Sequence, residues 1–462
     1  MGGDIKGTQM LTDICTCEVS LTDHSALEAW NGVVHAVLSH GQAAPVHLGA
    51  LLERAPDFAM GPAISGLSAL MLARRELVAS AEAANTAAKE ALAAGGATER
   101  EQLWCTALDA WLAGDPQRSV VCMETALRLN PADTISMKLS HGIRFILGDN
   151  HGMLQSVQAV IGAHGADHPL HGYAMGCLAF ALEETGQYDA AERAGLSGLN
   201  YAVDDAWGLH AVAHVYDMTH RTQQGITLIS ENESAWDHCN NFRFHVWWHK
   251  ALLHLDQRDY DAVFDLYDRK IRHEKTDDYR DFSNASALLM RLELEGVPVG
   301  DRWIELANLA ETRLSDGCLA FADLHYMLAL VGDHRPDAAA TMIARVAQDA
   351  QGSGTVAEVM ADPGLAASKG LAAFGEAQYA TAFANLKAAQ PHYQAMGGSH
   401  AQRDIFARIT IEAGIRAGKL DDAARLLDQR IAQRAGIADS FAASRRDTIA
   451  TARAAQAKIA AE

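Results

Sequence analysis

Apolar and polar residues along the chain recur with helical rather than strand spacing. No stretch alternates with period two for long, Ala, Leu and charged residues dominate, and proline occurs only 10 times in 462 residues. These features predict helices throughout. Residues 24 to 95 read as two or three helices, opened by Asp23 as a cap and closed near Gly95-Gly96. From residue 100 a longer period is superimposed. Leu103, Ala107 and Ala110 precede Gly114-Asp115, and Ser119, Ala126, Leu127 and Pro131 follow, the spacing of a helix-turn-helix unit of about 34 residues. The frame returns at Leu178, Gly186, Tyr188 and Leu199, at Trp247, Ala251, Tyr260 and Ile271, at Gly370, Tyr379 and Leu386, and at Gly418, Ala423 and Ile431. More degenerate copies fall around 134–165, 205–235, 282–312 and 318–350.

The pattern resembles tetratricopeptide repeats, in which small residues let antiparallel helices approach and a Gly-Asp pair turns the chain between them. The expected fold is therefore all-α: a tetratricopeptide-like solenoid, a right-handed superhelix of antiparallel helix pairs. Residues 1–20 read as an N-terminal extension, 21–435 as a single array of about seven to nine pairs, and 436–462 as a closing helix with Arg445, Arg446 and Arg453 outward. Irregular stretches are expected at 163–169, 230–241, 273–281 and 352–363.

Residues 205 to 256 carry more than the repeat requires. His210 and His214 on one predicted helix, and His245 and His249 on the next, are spaced four apart, so each pair presents two imidazoles in one direction. In such repeats the first helix of each pair lines the concave wall. That frame turns Tyr173, Phe180, Glu183 and Glu184 inward, then His210, His214 and Asp217, then His245 and Trp248 with His249 at the edge, and then Ser283, Ser286, Glu293 and Asp323. Trp247 and Trp248 point about 100° apart on a helix, so Trp248 is assigned to the hollow and Trp247 to the core. The result is a candidate pocket for a small organic ligand. His210, His214, His245, His249, Glu183 and Asp323 are the candidate catalytic groups, and His141, His171, Tyr173, Phe180, Asp217, Asn241, Trp248, Asp281, Ser286 and His325 the candidate ligand contacts.

Several segments resemble the tetratricopeptide repeat protein 38 family more narrowly. These are Ser140-His141 before Leu147-Gly148-Asp149, His171-Gly172-Tyr173, Phe180 to Gly186, His210 to Val215, Phe244 to Leu252, Leu266-Tyr267-Asp268 and Phe321 to His325. The resemblance spans about residues 20 to 435 and implies an all-helical repeat fold found in bacteria and eukaryotes. It lends architecture and candidate positions but no reaction. Lys250 and His220-Arg221 depart from the family's usual Leu and Gly-Arg.

Three chemistries compete for the histidines. Two imidazole pairs can hold zinc or another divalent ion, with a further ligand from Asp217, Asp281, Asp323 or His325, although the Glu that follows the first His of the zinc-protease helix is missing. Metal-free acid-base catalysis would use Glu183 and Glu184 beside His210. The plainest alternative is hydrogen bonding across packed helices. Cys239 before Asn240-Asn241 is an isolated thiol, and without a glycine-rich phosphate loop no nucleotide is expected. A His-dependent or metal-dependent hydrolase thus stands beside a non-catalytic scaffold that holds a peptide in its concave groove.

Charge and cysteine usage narrow the partners. With 38 basic and 58 acidic residues the net charge is -20, which argues against nucleic acid. Seven cysteines without repeated spacing point to reduced thiols in a cytoplasmic chain. No apolar run approaches the roughly 18 residues of a membrane span. Met1 to Asp13 lack a signal core, and Lys6 stands where a myristoylation signal after Gly2 wants Ser or Thr. Homo-oligomerisation is left open.

Overall fold

Helix follows helix because each repeat carries its own start and stop signals. Asp23, Asp115, Asp133, Asp149 and Asp259 accept backbone N–H groups of the helix each precedes. Residues with positive φ end the helices, glycine at 114, 148, 186 and 418 and the less tolerant His40 and His220 elsewhere. The computed structural model describes residues 10–461, so the readings of Gly2 and Lys6 lie outside the described residues.

A hairpin of β1 (Leu11–Thr12) and β2 (Glu18–Val19) leads into α1 (His24–Leu38), α2 (Ala44–Arg54), α3 (Met60–Met71) and α4 (Arg75–Ala94). Then come α5 (Glu99–Leu112), α6 (Pro116–Leu129), α7 (Thr134–Ile146), α8 (Asn150–Val160), α9 (His171–Glu183) and α10 (Tyr188–Leu199). The middle of the chain holds α11 (Ala206–Met218), α12 (Thr222–Glu231), α13 (Phe242–Asp256), α14 (Tyr260–Leu266), α15 (Tyr279–Leu294) and α16 (Arg302–Thr312). It ends with α17 (Ala320–Gly332), α18 (Pro336–Asp349), the short α19 (Thr355–Val359), α20 (Leu365–Gly375), α21 (Tyr379–Ala389), α22 (His400–Arg416), α23 (Leu420–Gln433) and α24 (Ser440–Ala461). The protein is an all-α helical-repeat solenoid. Among the described residues there are eleven successive helix pairs rather than seven to nine, the excess arising chiefly from residues 24–95, which fold as four helices. No described helix is long and apolar enough to cross a membrane.

The described segments flanking the array, Leu11–Leu21 and the first turns of α24, pack into the core. Cys15, Cys17, Val19 and Leu21 are buried, and Asp13 accepts Trp30 Nε1 at 2.9 Å and Arg100 Nη1 at 2.7 Å. The segment read as an N-terminal extension therefore includes a packed hairpin. At the other end Arg445 points inward, against the expectation, donating to Glu412 and the Leu294 carbonyl while Phe441 stacks beneath it. Burying a guanidinium is tolerable here because both acceptors meet it.

The last helices return to cover the inner faces of earlier ones. His400 at the start of α22 meets Glu183 and Glu184 of α9, Ala401 O accepts Arg291 of α15 at 2.7 Å, and Phe406 packs on His325 of α17. Helix α22 is accordingly buried around most of its circumference. The closure needs a close backbone approach at Gly148, where φ is +69° and a Cβ would stand 1.8 Å from Gln394 O. Gly148→Ala is expected to cost more than about 1 kcal/mol in urea unfolding, since both the conformation and the space are wrong for a side chain; an unchanged midpoint would refute the contact.

Candidate metal centre

The i, i+4 spacing does what helix geometry requires of it. Helices α11 and α13 lie side by side, and all four imidazoles point into the same gap. His214 Nε2 lies 2.8 Å from His210 Nε2, His210 Nε2 lies 3.0 Å from His245 Nε2, and His245 Nε2 lies 3.1 Å from His249 Nε2. One ring nitrogen from each of the four falls within 4.8 Å of every other. His210, His214 and His249 are buried, while His245 is half-buried and gives the cluster its open side. Burial, reinforced for His210, His214 and His249 by neighbouring imidazoles, pushes those three well below the usual imidazole range. For His245 burial outweighs the Asn284 hydrogen bond and lowers it to about 4. All four are therefore neutral at pH 7, with lone pairs free to bind a cation.

The surroundings hold the rings in place. Phe180 stacks on His210 at 5.5 Å and 21°, and Trp248 stacks on His245 at 5.3 Å and 18°. Trp247 faces the other way, against Trp236 and the ammonium groups of Lys250 and Lys270. His245 Nδ1 contacts Asn284 Oδ1 at 3.0 Å, which leaves Nε2 to face the cluster. His214 Nδ1 faces Glu183 Oε2 at 3.4 Å, and neither atom has a hydrogen-bond partner. The other oxygen of Glu183 meets His400 Nε2. Burial raises Glu183 to about 7 despite His400, while the carboxylates of Glu183 and Glu184 outweigh burial and raise His400 to about 9. That pair keeps a proton at neutral pH. Glu183, Glu184, His214 and His400 also offer ligand atoms within 4.8 Å of one another.

Several expected positions lie elsewhere, each with a partner of its own, though His141 Nδ1 and His325 Nε2 stay unbonded. The expected carboxylate beside His210 is instead beside His214. Asp323 pairs with Arg345 at 2.7 Å and Asp217 with Arg434 at 3.0 Å, so neither reaches the four histidines as a ligand. Asn241 and Asp281 bond to each other at 2.7 Å. Ser286 turns its hydroxyl to the Ser283 carbonyl, and His325 turns Nδ1 to the Phe321 carbonyl. His171 bonds the His164 carbonyl, and Tyr173 binds Asp204 and His35. His141 accepts Trp207 Nε1 at 3.2 Å and adjoins the cluster through Phe180. Three residues near the cluster escaped the repeat reading: His400, Lys138 and His40. Lys138 is the one lysine of α7 and is buried there among Ile135, Met137, Leu139 and His141; His400 arrives only by long-range packing.

No protein-family model matches the chain. Among solved structures there is similarity to a chain in the structure of Naa15/Naa10 bound to HypK-THB, at 13% identity over 88% of this chain and 63% of that one, with a TM-score of 0.25. This chain thus spans less than two thirds of that chain's length, and a likeness at that score carries no argument about function.

Proposed function

We propose that the protein is a metal-dependent enzyme in which His210, His214, His245 and His249 hold one divalent transition-metal ion at the inner wall of the solenoid. The run of three Nε2–Nε2 contacts at 2.8, 3.0 and 3.1 Å carries this reading. A neutral imidazole nitrogen has one in-plane position, filled by a proton or a lone pair. Four such atoms in a row allow two good hydrogen bonds at most, and the contact between His210 and His245 is left without a linear one. A single cation would use all four lone pairs.

His210, His214, His245 and His249 would hold the ion through four ring nitrogens, a donor set that suits Zn(II), Cu(II) or Ni(II). A metal with four neutral ligands supplies an undiminished Lewis acid and lowers the pKa of bound water, which suits hydrolysis of a small organic substrate. Asn284 bonds His245 from behind, and Glu183 stands behind His214 at 3.4 Å, near enough to orient it once a metal is bound. Glu183→Gln is expected to weaken metal affinity 10–100-fold by competition with a chromophoric chelator, without loss of helical circular dichroism; unchanged affinity would remove that role.

The histidine segments are among those that resemble the tetratricopeptide repeat protein 38 family, and seven free cysteines, six of them buried, suit a reducing cytoplasm. The test is turnover of activated ester, phosphoester and amide probes by metal-loaded, metal-free and His249→Ala protein. Hydrolysis of at least one class, lost at least 100-fold without metal or without His249, is expected; equal rates in all three preparations would overturn the reading.

A further inference from the structure

Beside the four histidines lies a second constellation. Lys138 is 9% exposed. Its Nζ stands 3.3 Å from His40 Nε2 and 4.5 Å above the Trp207 ring. Among the described residues it has no carboxylate at ion-pair distance. An ammonium withdrawn from water without a counter-charge is costly in folding, so it calls for an anion. Asp205 is close enough for its charge to interact with Lys138, yet it makes no ion pair with it, and its Oδ2 has no partner.

The walls around this ammonium are flat and aromatic. His40 stacks on Phe242 at 4.5 Å and 21° and on Trp207 at 5.5 Å and 23°. Burial and the Lys138 charge push His40 well below the usual imidazole range, so it is a neutral ring here. Trp207 and Phe242 in turn pack on His210 at 5.1 and 5.2 Å, which places the lysine one aromatic ring from a proposed metal ligand. His40 and Phe242 are half-buried like His245, and Phe242 packs on His245 at 5.6 Å.

We infer that Lys138, His40, Trp207 and Phe242 form a subsite for the carboxylate of a small aromatic or apolar acid, held next to the metal centre. One unpaired ammonium matches one negative charge, and the ring faces match a flat apolar body; a phosphate dianion would ask for a second free cation. The nearby Arg280 is not a free cation, because its Nε and Nη2 both donate to the Asp278 carboxylate. The inference deepens the metal reading, and it rests on that reading only for what becomes of the acid once bound.

The test separates the two. Benzoate, acetate and inorganic phosphate are titrated by calorimetry into the metal-free full-length protein, and again into protein loaded with one equivalent of Co(II), with its visible spectrum as a second readout. Benzoate is expected to bind both forms in the millimolar range, more tightly than acetate and phosphate, and to perturb the Co(II) bands. Lys138→Met, close in volume, should weaken benzoate at least tenfold with Co(II) uptake unchanged and the thermal midpoint equal or higher; Phe242→Ala should weaken benzoate more than acetate. Benzoate affinity unaltered in Lys138→Met, or phosphate binding as tightly as benzoate, would overturn the subsite. Failure of Co(II) to bind while benzoate still does would overturn the metal centre alone.

Discussion

Replacing His214 by alanine is expected to lower bound metal from about one equivalent per chain to less than a tenth, measured by elemental analysis after dialysis. Of the four rings His214 has the most to lose. Its Nε2 makes the 2.8 Å contact with His210, and its Nδ1 faces the Glu183 carboxylate, so the substitution removes a ligand and leaves that carboxylate facing a void. Metal that binds only the folded chain stabilises it by about 4 kcal/mol at a thousandfold excess over Kd. Wild-type protein should therefore gain thermal stability on loading, and His214→Ala should gain almost none. His254→Ala serves as the control, because that ring pairs with the exposed Asp259 at the far end of α13. Full metal occupancy in His214→Ala would place the ion elsewhere.

The second large effect concerns the clamp that returns the C-terminal helices to the site. Arg430 of α23 is 3% exposed and bonds both Asp404 of α22 and Asp439 at the start of α24, at 2.6–2.9 Å. Removing one partner of a buried ion pair typically costs 3–5 kcal/mol, because the remaining charges stay buried. Arg430→Ala is expected to lose about that much in denaturant unfolding, whereas a loss below about 1 kcal/mol would mean that the cluster is solvated. The same clamp sets an acid limit. Burial alone would raise Asp404 and Asp439, but Arg430 and Arg408 outweigh it and hold both carboxyls below the usual range. Groups depressed in the folded state contribute stability that is present above the ordinary carboxylate pKa near 4 and is lost as pH falls below it. Wild-type stability should fall below pH 4, and Arg430→Ala should show a shallower dependence there.

The fold was legible because its signals are local. Turn glycines, caps and small-residue positions announce each helix pair, and the i, i+4 histidines announce their own convergence once two first helices lie side by side. The closure was not legible. Helix α22 reaches Glu183 of α9 across more than two hundred residues, and its register in the hollow is set by packing rather than by motif. One hint was present: Ile405, Phe406, Ile409 and Ile411 leave α22 without a wholly polar face, which marks a helix covered on several sides. Asp217 and Asp323 misled for the related reason that inward-facing carboxylates are as readily consumed by arginines as by a site. Arg345, which takes Asp323, sits on the second helix of the same pair, while Arg434, which takes Asp217, arrives from just beyond α23 by long-range packing.

The central claim is that four imidazole nitrogens converge on one ion. X-ray absorption at the metal edge, on protein loaded with a single equivalent of Cu(II), Ni(II) or Zn(II), tests it most directly. The account predicts a first shell of about four nitrogens at about 2.0–2.1 Å with the outer-shell scattering of imidazole, lost in His214→Ala. A shell of oxygens alone, or one left unchanged by that substitution, would contradict it.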